Sequence, residues 1–194
     1  MAERAHPQDP GFRDKWFGLK KSVYKQNLFK RYAFCNDYIK DKIVLDIPCG
    51  VGWGTARLKK AQKIYGLDIA PEAISYAQKH FGRRNIEYQV GNMEKIPFSD
   101  NFFDVVICLE GFEHVDKDVG LKFIGEAKRV LKKDGLIIMT VPILTNGKHS
   151  GNPYHSYEPP MEELQDLLRN NFEVIFFEVV KGPDSEIVKI VGRN

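Results

Sequence analysis

Val44-Leu45-Asp46-Ile47-Pro48-Cys49-Gly50-Val51-Gly52-Trp53-Gly54-Thr55 is the stretch whose reading decides the fold. A short apolar run over 42–47 ends in glycines at 50, 52 and 54, and a short helix is expected over 53–60. This order reads as a strand that leaves its sheet through a loop whose backbone turns sharply and can approach a ligand closely. Three alternating glycines alone are weak evidence, because many turns are glycine-rich. The dinucleotide fingerprint GxGxxG is not met, since Thr55 stands where its third glycine would be.

Outward from this loop the chain alternates. On the N-terminal side, Tyr24, Leu28, Tyr32, Cys35 and Ile39 form one helical stripe over 22–40. On the C-terminal side, strands are predicted at 63–67, 86–90, 104–109 and 136–141. Between them come a helix over 71–81, with Pro71 in its first turn, and a helix over 118–133. The second is expected to carry Lys132 and Lys133 at its negative end, with Gly135 after it. A helix over 160–169 follows, then strands at 172–180 and 186–191 joined by a Lys-Gly-Pro-Asp turn. The expected fold is α/β and doubly wound: a mostly parallel, seven-stranded, Rossmann-like sheet with an antiparallel C-terminal hairpin strand. Ligands of such sheets sit beyond the C-terminal strand ends, at the topological switch point. Residues 1–20 are expected to be an irregular arm, and 21–194 a single domain.

Composition sets bounds. The 194 residues are 43% hydrophobic and 28% charged, ordinary for a globular domain. No apolar run approaches the roughly 20 residues of a membrane span. Met1–Pro7 has no apolar stretch behind its charges, so no secretory leader is expected and the cytoplasm is the expected compartment. Cys35, Cys49 and Cys108 lack the close spacing of a zinc site, so reduced, buried thiols and no metal centre are expected. The net charge of +3 is too mild to demand a nucleic acid. The first 42 residues hold ten Lys/Arg against five Asp/Glu, which reads as a solvated helix face before it reads as a phosphate patch.

Three features sharpen the glycine loop. Asp46 lies at the end of its strand, where a carboxylate suits an ammonium group and repels a pyrophosphate. Asp68 ends the next strand, 18 residues after Gly50, where an acid can accept both ribose hydroxyls. Asn92 and Met93 follow the third strand and offer a polar edge and an apolar face to adenine, with Ile69 available for the opposite face. No cluster of Lys or Arg stands at the loop. Together these suit S-adenosyl-L-methionine better than NAD or ATP.

With those residues, the chain resembles the class I methyltransferases, in particular the methyltransferase type 11 group. The likeness is carried by VLDIPCGVGWGT (44–55), YGLDIAPEAISYAQ (65–78), VGNMEKIPFSDNFFDVVICLEGFEHV (90–115) and EAKRVLKKDGLIIMTVP (126–142). The resemblance implies that Asp46 and the backbone of 48–52, with Pro48, Gly50 and Gly52, hold the methionine end of the donor. It implies that Asp68 binds the ribose, that Asn92 and Met93 flank adenine, and that Leu109, beside Glu110, closes the pocket near the sulfonium. Three positions depart from the family pattern: Asn92 for the usual Asp, Ala70 for the usual Ser N-cap, and Pro48 in the loop. Losing a cap costs roughly 1 kcal/mol. Phe29–Phe34, Leu109–Val115 and Asn152-Pro153-Tyr154-His155 with Glu158 further resemble methyltransferases of surface-polysaccharide and sugar modification.

Methyl transfer to a hydroxyl needs alignment, exclusion of water and removal of a proton. His114, after the fourth strand, and His155, in a Pro/Gly/Tyr-rich segment 145–160 that reads as a substrate lid, are the candidate general bases. His149 ranks below them, Glu110 and Glu113 are candidates for placing the acceptor, and His6 and His80 read as surface residues. The expected partner is a small-molecule acceptor, with no nucleic acid and with a homodimer left open. Competing readings are an RNA or protein methyltransferase, a nucleotide-dependent oxidoreductase, and a non-catalytic binder of S-adenosylmethionine.

Overall fold

Strands β1 (Ile43–Asp46), β2 (Lys63–Asp68), β3 (Ile86–Val90), β4 (Phe103–Leu109), β5 (Leu131–Ile143), β6 (Glu173–Lys181) and β7 (Glu186–Arg193) make one sheet, ordered β3-β2-β1-β4-β5-β7-β6. The structure is a computed structural model and describes residues 23–144, 147–181 and 186–194, with side chains from Phe29 onward. The first five strands run parallel, and β7 inserts antiparallel between β5 and β6. The predicted hairpin is therefore present. Its turn at 182–185 and the arm over 1–20 lie outside the described residues.

Helices α1 (Val23–Cys35), α2 (Pro71–Phe81), α3 (Lys117–Val130) and α4 (Met161–Arg169) cover the sheet from both sides. On one face Tyr32 and Cys35 of α1 and Ile74 and Ala77 of α2 pack on Val44, Ile64, Val105 and Ile107. On the other, Phe123, Ile124 and Ala127 of α3 and Leu164 and Leu168 of α4 pack on Leu45, Leu67, Val106 and Met139. Successive strand residues point to opposite faces, so strands buried on both sides read as continuous apolar runs. β1 lies between β2 and β4, so the chain winds away from it in both directions. The crevice beyond β1 and β4 is the switch point.

Three expectations change. No α-helix forms over 53–60; a single 3-10 turn, Thr55–Arg57, stands there. Leu58 drops into the core instead. Asn36 serves backbone groups of this turn, with Nδ2 donating to Arg57 O at 3.1 Å and Oδ1 accepting from Lys59 N at 3.0 Å. The first helix ends at Cys35, not Lys40, although Ile39 is still buried in the turn beyond it. The helix expected to reach Lys133 stops at Val130, because Leu131 is already extended (φ −72°, ψ 136°). Lys132 and Lys133 therefore belong to β5, and Lys132 Nζ donates to Asp104 Oδ1 at 2.8 Å. Arg129 is the cation that closes this end of α3, bonding Glu126, Asp100 and the carbonyls of Ile96 and Phe98.

Candidate active site

The glycine loop leaves β1 with Gly50 at φ +54° and Gly52 at φ +80°, conformations that side-chain-bearing residues rarely adopt. At Gly52 space is limiting too, since a Cβ would stand 2.7 Å from Ala77 Cβ and 2.8 Å from the Tyr88 ring. Tyr88 Oη donates to Gly52 O at 3.1 Å, and Cys49 N donates to Leu67 O at 2.8 Å. The loop is thus stitched to β2 and β3 while its outer edge faces the crevice.

Asp68 is the central clamp. Its Oδ2 accepts from Gly50 N at 2.9 Å and its Oδ1 from Ala70 N at 3.0 Å. One carboxylate therefore fixes the glycine turn and the start of α2, whose N-cap residue Ala70 makes no side-chain cap bond. A carboxylate has about four acceptor sites, so capacity for two hydroxyls remains. Ile69 beside it is 57% exposed and Val90 is also exposed, two apolar side chains at the strand ends that the described residues leave open. Asn92 is exposed, and its Oδ1 accepts from Lys95 N at 2.9 Å, forming a local turn. Met93 is buried among core residues, so it can meet a planar ring only at its edge. Leu109 is buried at the end of β4.

Asp46 differs from its expected setting. It is 0% exposed, and its Oδ2 accepts from Thr55 Oγ at 2.6 Å. Its Oδ1 has no hydrogen-bond partner among the described residues. Burial pushes its carboxyl up to about 7, against the bonds from Thr55 and Tyr32. A direct grip on an ammonium group needs an open carboxylate, and this one lies a layer beneath the loop it supports.

Across the switch point, β4 ends in a tight turn. Glu110 has φ +50°, a left-handed strain for a residue with a side chain, and its carboxylate pairs with Arg31 Nη1 at 3.0 Å. Gly111 meets the Pro48 ring so closely that a Cβ would overlap it, which seats the β4 loop against the glycine loop. The 3-10 turn Phe112–His114 then presents Glu113 and His114. Glu113 is 0% exposed and neither of its oxygens has a hydrogen-bond partner among the described residues. Burial and the neighbouring Glu110 raise its carboxyl well above the usual range.

The segment 147–160 closes over this turn. Ser156 N and Tyr157 N both donate to Glu113 O, at 2.8 and 3.1 Å, and Leu144 N donates to Pro159 O at 3.2 Å. His114 Nδ1 lies 3.0 Å from Tyr154 O, and the His114 and His155 rings stand edge to face with centroids 5.1 Å apart. His155 Nδ1 lies 2.5 Å from Glu158 Oε1, and its Nε2 lies 2.9 Å from Asn152 Nδ2. Glu158 is buried, yet bonds from Ser150 and His155 outweigh that burial and hold its carboxyl below the usual range. His149 sits at the rim, 3.8 Å from Glu158. His80 is elsewhere, stacked on Tyr76 at 4.1 Å.

The two candidate histidines, far apart in sequence, are thus brought together, beside Glu110 and Glu113 and next to the glycine loop. Arg31, Thr55 and Tyr88 were not singled out for this region. Arg31 lies in the stretch Phe29–Phe34 that carries part of the resemblance, but the basic composition around it reads as a solvated face and assigns it no role. No helix among the described residues is long and apolar enough to cross a membrane.

A glycine turn clamped by the acid of the second strand, at the switch point of a seven-stranded sheet with a β7 insertion, defines a class I Rossmann-like methyltransferase domain. Residues 45–139 match the family described as "Methyltransferase domain". A probable S-adenosylmethionine-dependent methyltransferase of Mycolicibacterium smegmatis is 29% identical over 85% of this chain and 63% of its own length. The chain thus spans about six-tenths of the length of the curated relatives it matches. The N-methyltransferase NodS of Bradyrhizobium japonicum, in complex with S-adenosyl-L-homocysteine, superposes with a TM-score of 0.75, covering 93% of this chain and 92% of that one at 15% identity. The cyclase SpnF superposes with a TM-score of 0.77, covering 90% of this chain and 84% of that one at 16% identity. At such identities the likeness is one of fold.

Proposed function

We propose that this protein transfers a methyl group from S-adenosylmethionine to a hydroxyl of a small-molecule acceptor, a sugar or glycan precursor. The observation that carries the reading is the juxtaposition of two sites across one loop contact. On one side are the Asp68 clamp, the glycine turn and uncovered Ile69; on the other are His114, His155 and Glu113, with Pro48 and Gly111 in contact between them.

On the donor side Asp68 takes the ribose hydroxyls. The backbone of 48–52 faces the methionine end, and Ile69 and Asn92 flank adenine, with the edge of Met93 below. Leu109 closes the pocket toward the sulfonium. Asp46 acts as a positioning residue, holding the loop through Thr55. On the acceptor side the hydroxyl oxygen forms its bond to the methyl carbon as the carbon–sulfur bond breaks. The sulfur keeps that electron pair as a neutral thioether, and the hydroxyl proton goes to His114 or His155. The segment 147–160 excludes water from this step. The polar, hydrogen-bonding character of the cluster favours a hydroxylated acceptor over an apolar one, because buried donors and acceptors need partners. A sugar acceptor is in keeping with a role in polysaccharide biosynthesis in the cytoplasm.

The test is transfer of tritiated methyl from S-adenosylmethionine to a panel of nucleotide sugars, glycans, metabolites, RNA and protein. Label on a sugar hydroxyl supports the reading. Label on RNA or protein alone, or on nothing despite donor binding, overturns it.

A further inference from the structure

We propose that Glu113, His114 and His155 form a binding site for one divalent first-row transition cation on the acceptor side of the donor pocket. The inference rests on the acceptor location given above and adds a ligand to it. Sequence spacing suggested no metal centre, because His155 comes from a segment 41 residues beyond His114.

One ligand atom from each of the three residues lies within 4.8 Å of the other two. Glu113 supplies the need for a cation. Its side chain is wholly enclosed, and neither oxygen receives a hydrogen bond from any described residue. The nearby Arg31 lies 3.0 Å from Glu110 and makes no hydrogen bond to Glu113. A carboxyl enclosed without a hydrogen-bond partner is stable only with its proton or beside a cation, since ionised and alone it would cost several kcal/mol, and a metal ion supplies that cation as the proton leaves.

The two imidazoles are prepared for coordination by the groups behind them. Tyr154 O can only accept, so His114 Nδ1, 3.0 Å away, carries a proton and the ring's lone pair is on Nε2. The Asn152 amide nitrogen can only donate, so His155 Nε2, 2.9 Å away, also carries a lone pair, and Nδ1 donates to Glu158 Oε1. A carbonyl or carboxylate behind each ring, fixing tautomer and orientation, is the usual support of metal-bound histidine. Binding at His155 Nε2 displaces the Asn152 amide. Two neutral imidazoles and one carboxylate suit manganese, iron, cobalt or zinc better than magnesium. Three protein ligands leave positions open for a hydroxyl. A hydroxyl bound there loses its proton to water more readily, and its oxygen then takes the methyl group as the carbon–sulfur bond breaks. With their lone pairs on the cation, the histidines act on the acceptor through it, in place of accepting its proton directly.

The test uses the full chain, stripped with chelator and dialysed. Mn2+ is titrated with electron paramagnetic resonance of the free ion, and Zn2+ by calorimetry, while S-adenosylhomocysteine affinity is measured on the same samples. One saturable site is expected in wild type. Glu113→Gln, His114→Ala and His155→Ala should each weaken it roughly tenfold to a hundredfold, with S-adenosylhomocysteine affinity changed little. Should Glu113→Gln fail to fold, the two histidine variants, at partly exposed positions, decide the matter. The proposal is overturned if wild type binds neither ion saturably, or if the His114→Ala/His155→Ala double variant binds as well as wild type. Loss of S-adenosylhomocysteine binding in wild type would instead overturn the donor assignment, whatever the metal does.

Discussion

At the scale of single residues, Asp46 and Asp68 divide work that their positions in sequence make look alike. Asp68 faces the loop and holds two backbone N–H groups, whereas Asp46 is enclosed against Thr55. Removal of Asp68 therefore loosens the turn as well as removing the proposed ribose contact. Asp68→Ala should weaken S-adenosylhomocysteine binding by roughly tenfold or more, about the 1.4 kcal/mol of one charged hydrogen bond; an unchanged calorimetric affinity would contradict the assignment. Asp46, with its carboxyl pushed up to about 7, is a stability switch of known sign. The folded state holds a proton that the unfolded chain, titrating near 4, has already released, so stability falls as pH rises from about 4 through about 7. Asp46→Asn should remove that slope in urea denaturation series between about pH 5 and pH 8. Equal slopes for wild type and variant would mean that the carboxylate is not desolvated. On the acceptor side, His114→Ala and His155→Ala should each lower turnover about 100-fold or more while donor affinity changes little. Turnover within about threefold of wild type for both would remove the pair from the chemistry.

At the scale of elements, what was legible and what was not separate along one line. The helix 71–81 and strand 86–90 are legible to the residue, because Pro71 starts one and the apolar–polar alternation Ile86-Glu87-Tyr88-Gln89-Val90 marks the other. Periodicity and turn chemistry are local signals, and they suffice where local and tertiary preference agree. The segment 53–60 failed that test. Its residues are compatible with a helix, but Asn36, 21 residues before Arg57, supplies the backbone partners that a 3-10 turn leaves over. A long-range side-chain cap is invisible to any window. Lys132 went astray for the same reason, since its partner Asp104 lies on the neighbouring strand. In the site, the four cofactor motifs announce themselves in order, but the meeting of His155 with His114 depends on how 147–160 folds back, which no spacing encodes. Asn36 also bonds Tyr32 O at the end of α1, so it joins three backbone stretches. Asn36→Ala should cost about 1–3 kcal/mol, read as a lower denaturation midpoint with an unchanged slope. A loss too small to measure would show that water replaces these bonds without penalty.

At the scale of the whole molecule, the sheet order makes the proposed donor site a property of the fold and not of one loop. β1 carries the glycine turn, β2 the Asp68 clamp, β3 the Asn92 edge and β4 the acceptor turn, and all four end at the same side of one parallel sheet. Their relative positions are held by two apolar layers, one on each face. A ligand spanning those four ends binds only the assembled sheet, because the unfolded chain has no such site. Its binding energy then adds to global stability by mass action, about 2.7 kcal/mol at a hundredfold excess over Kd. For a domain of this size each kcal/mol raises the melting temperature by about 2–4 °C, so S-adenosylhomocysteine at that excess should raise it by roughly 5–10 °C. NAD should not, because Thr55 breaks the dinucleotide spacing and Asp68 already occupies the Gly50 N–H that a pyrophosphate would want. A thermal-shift series with both ligands separates the methyltransferase from the oxidoreductase reading without an acceptor in hand. A shift with NAD and none with S-adenosylhomocysteine would reverse the assignment of the pocket while leaving the fold untouched.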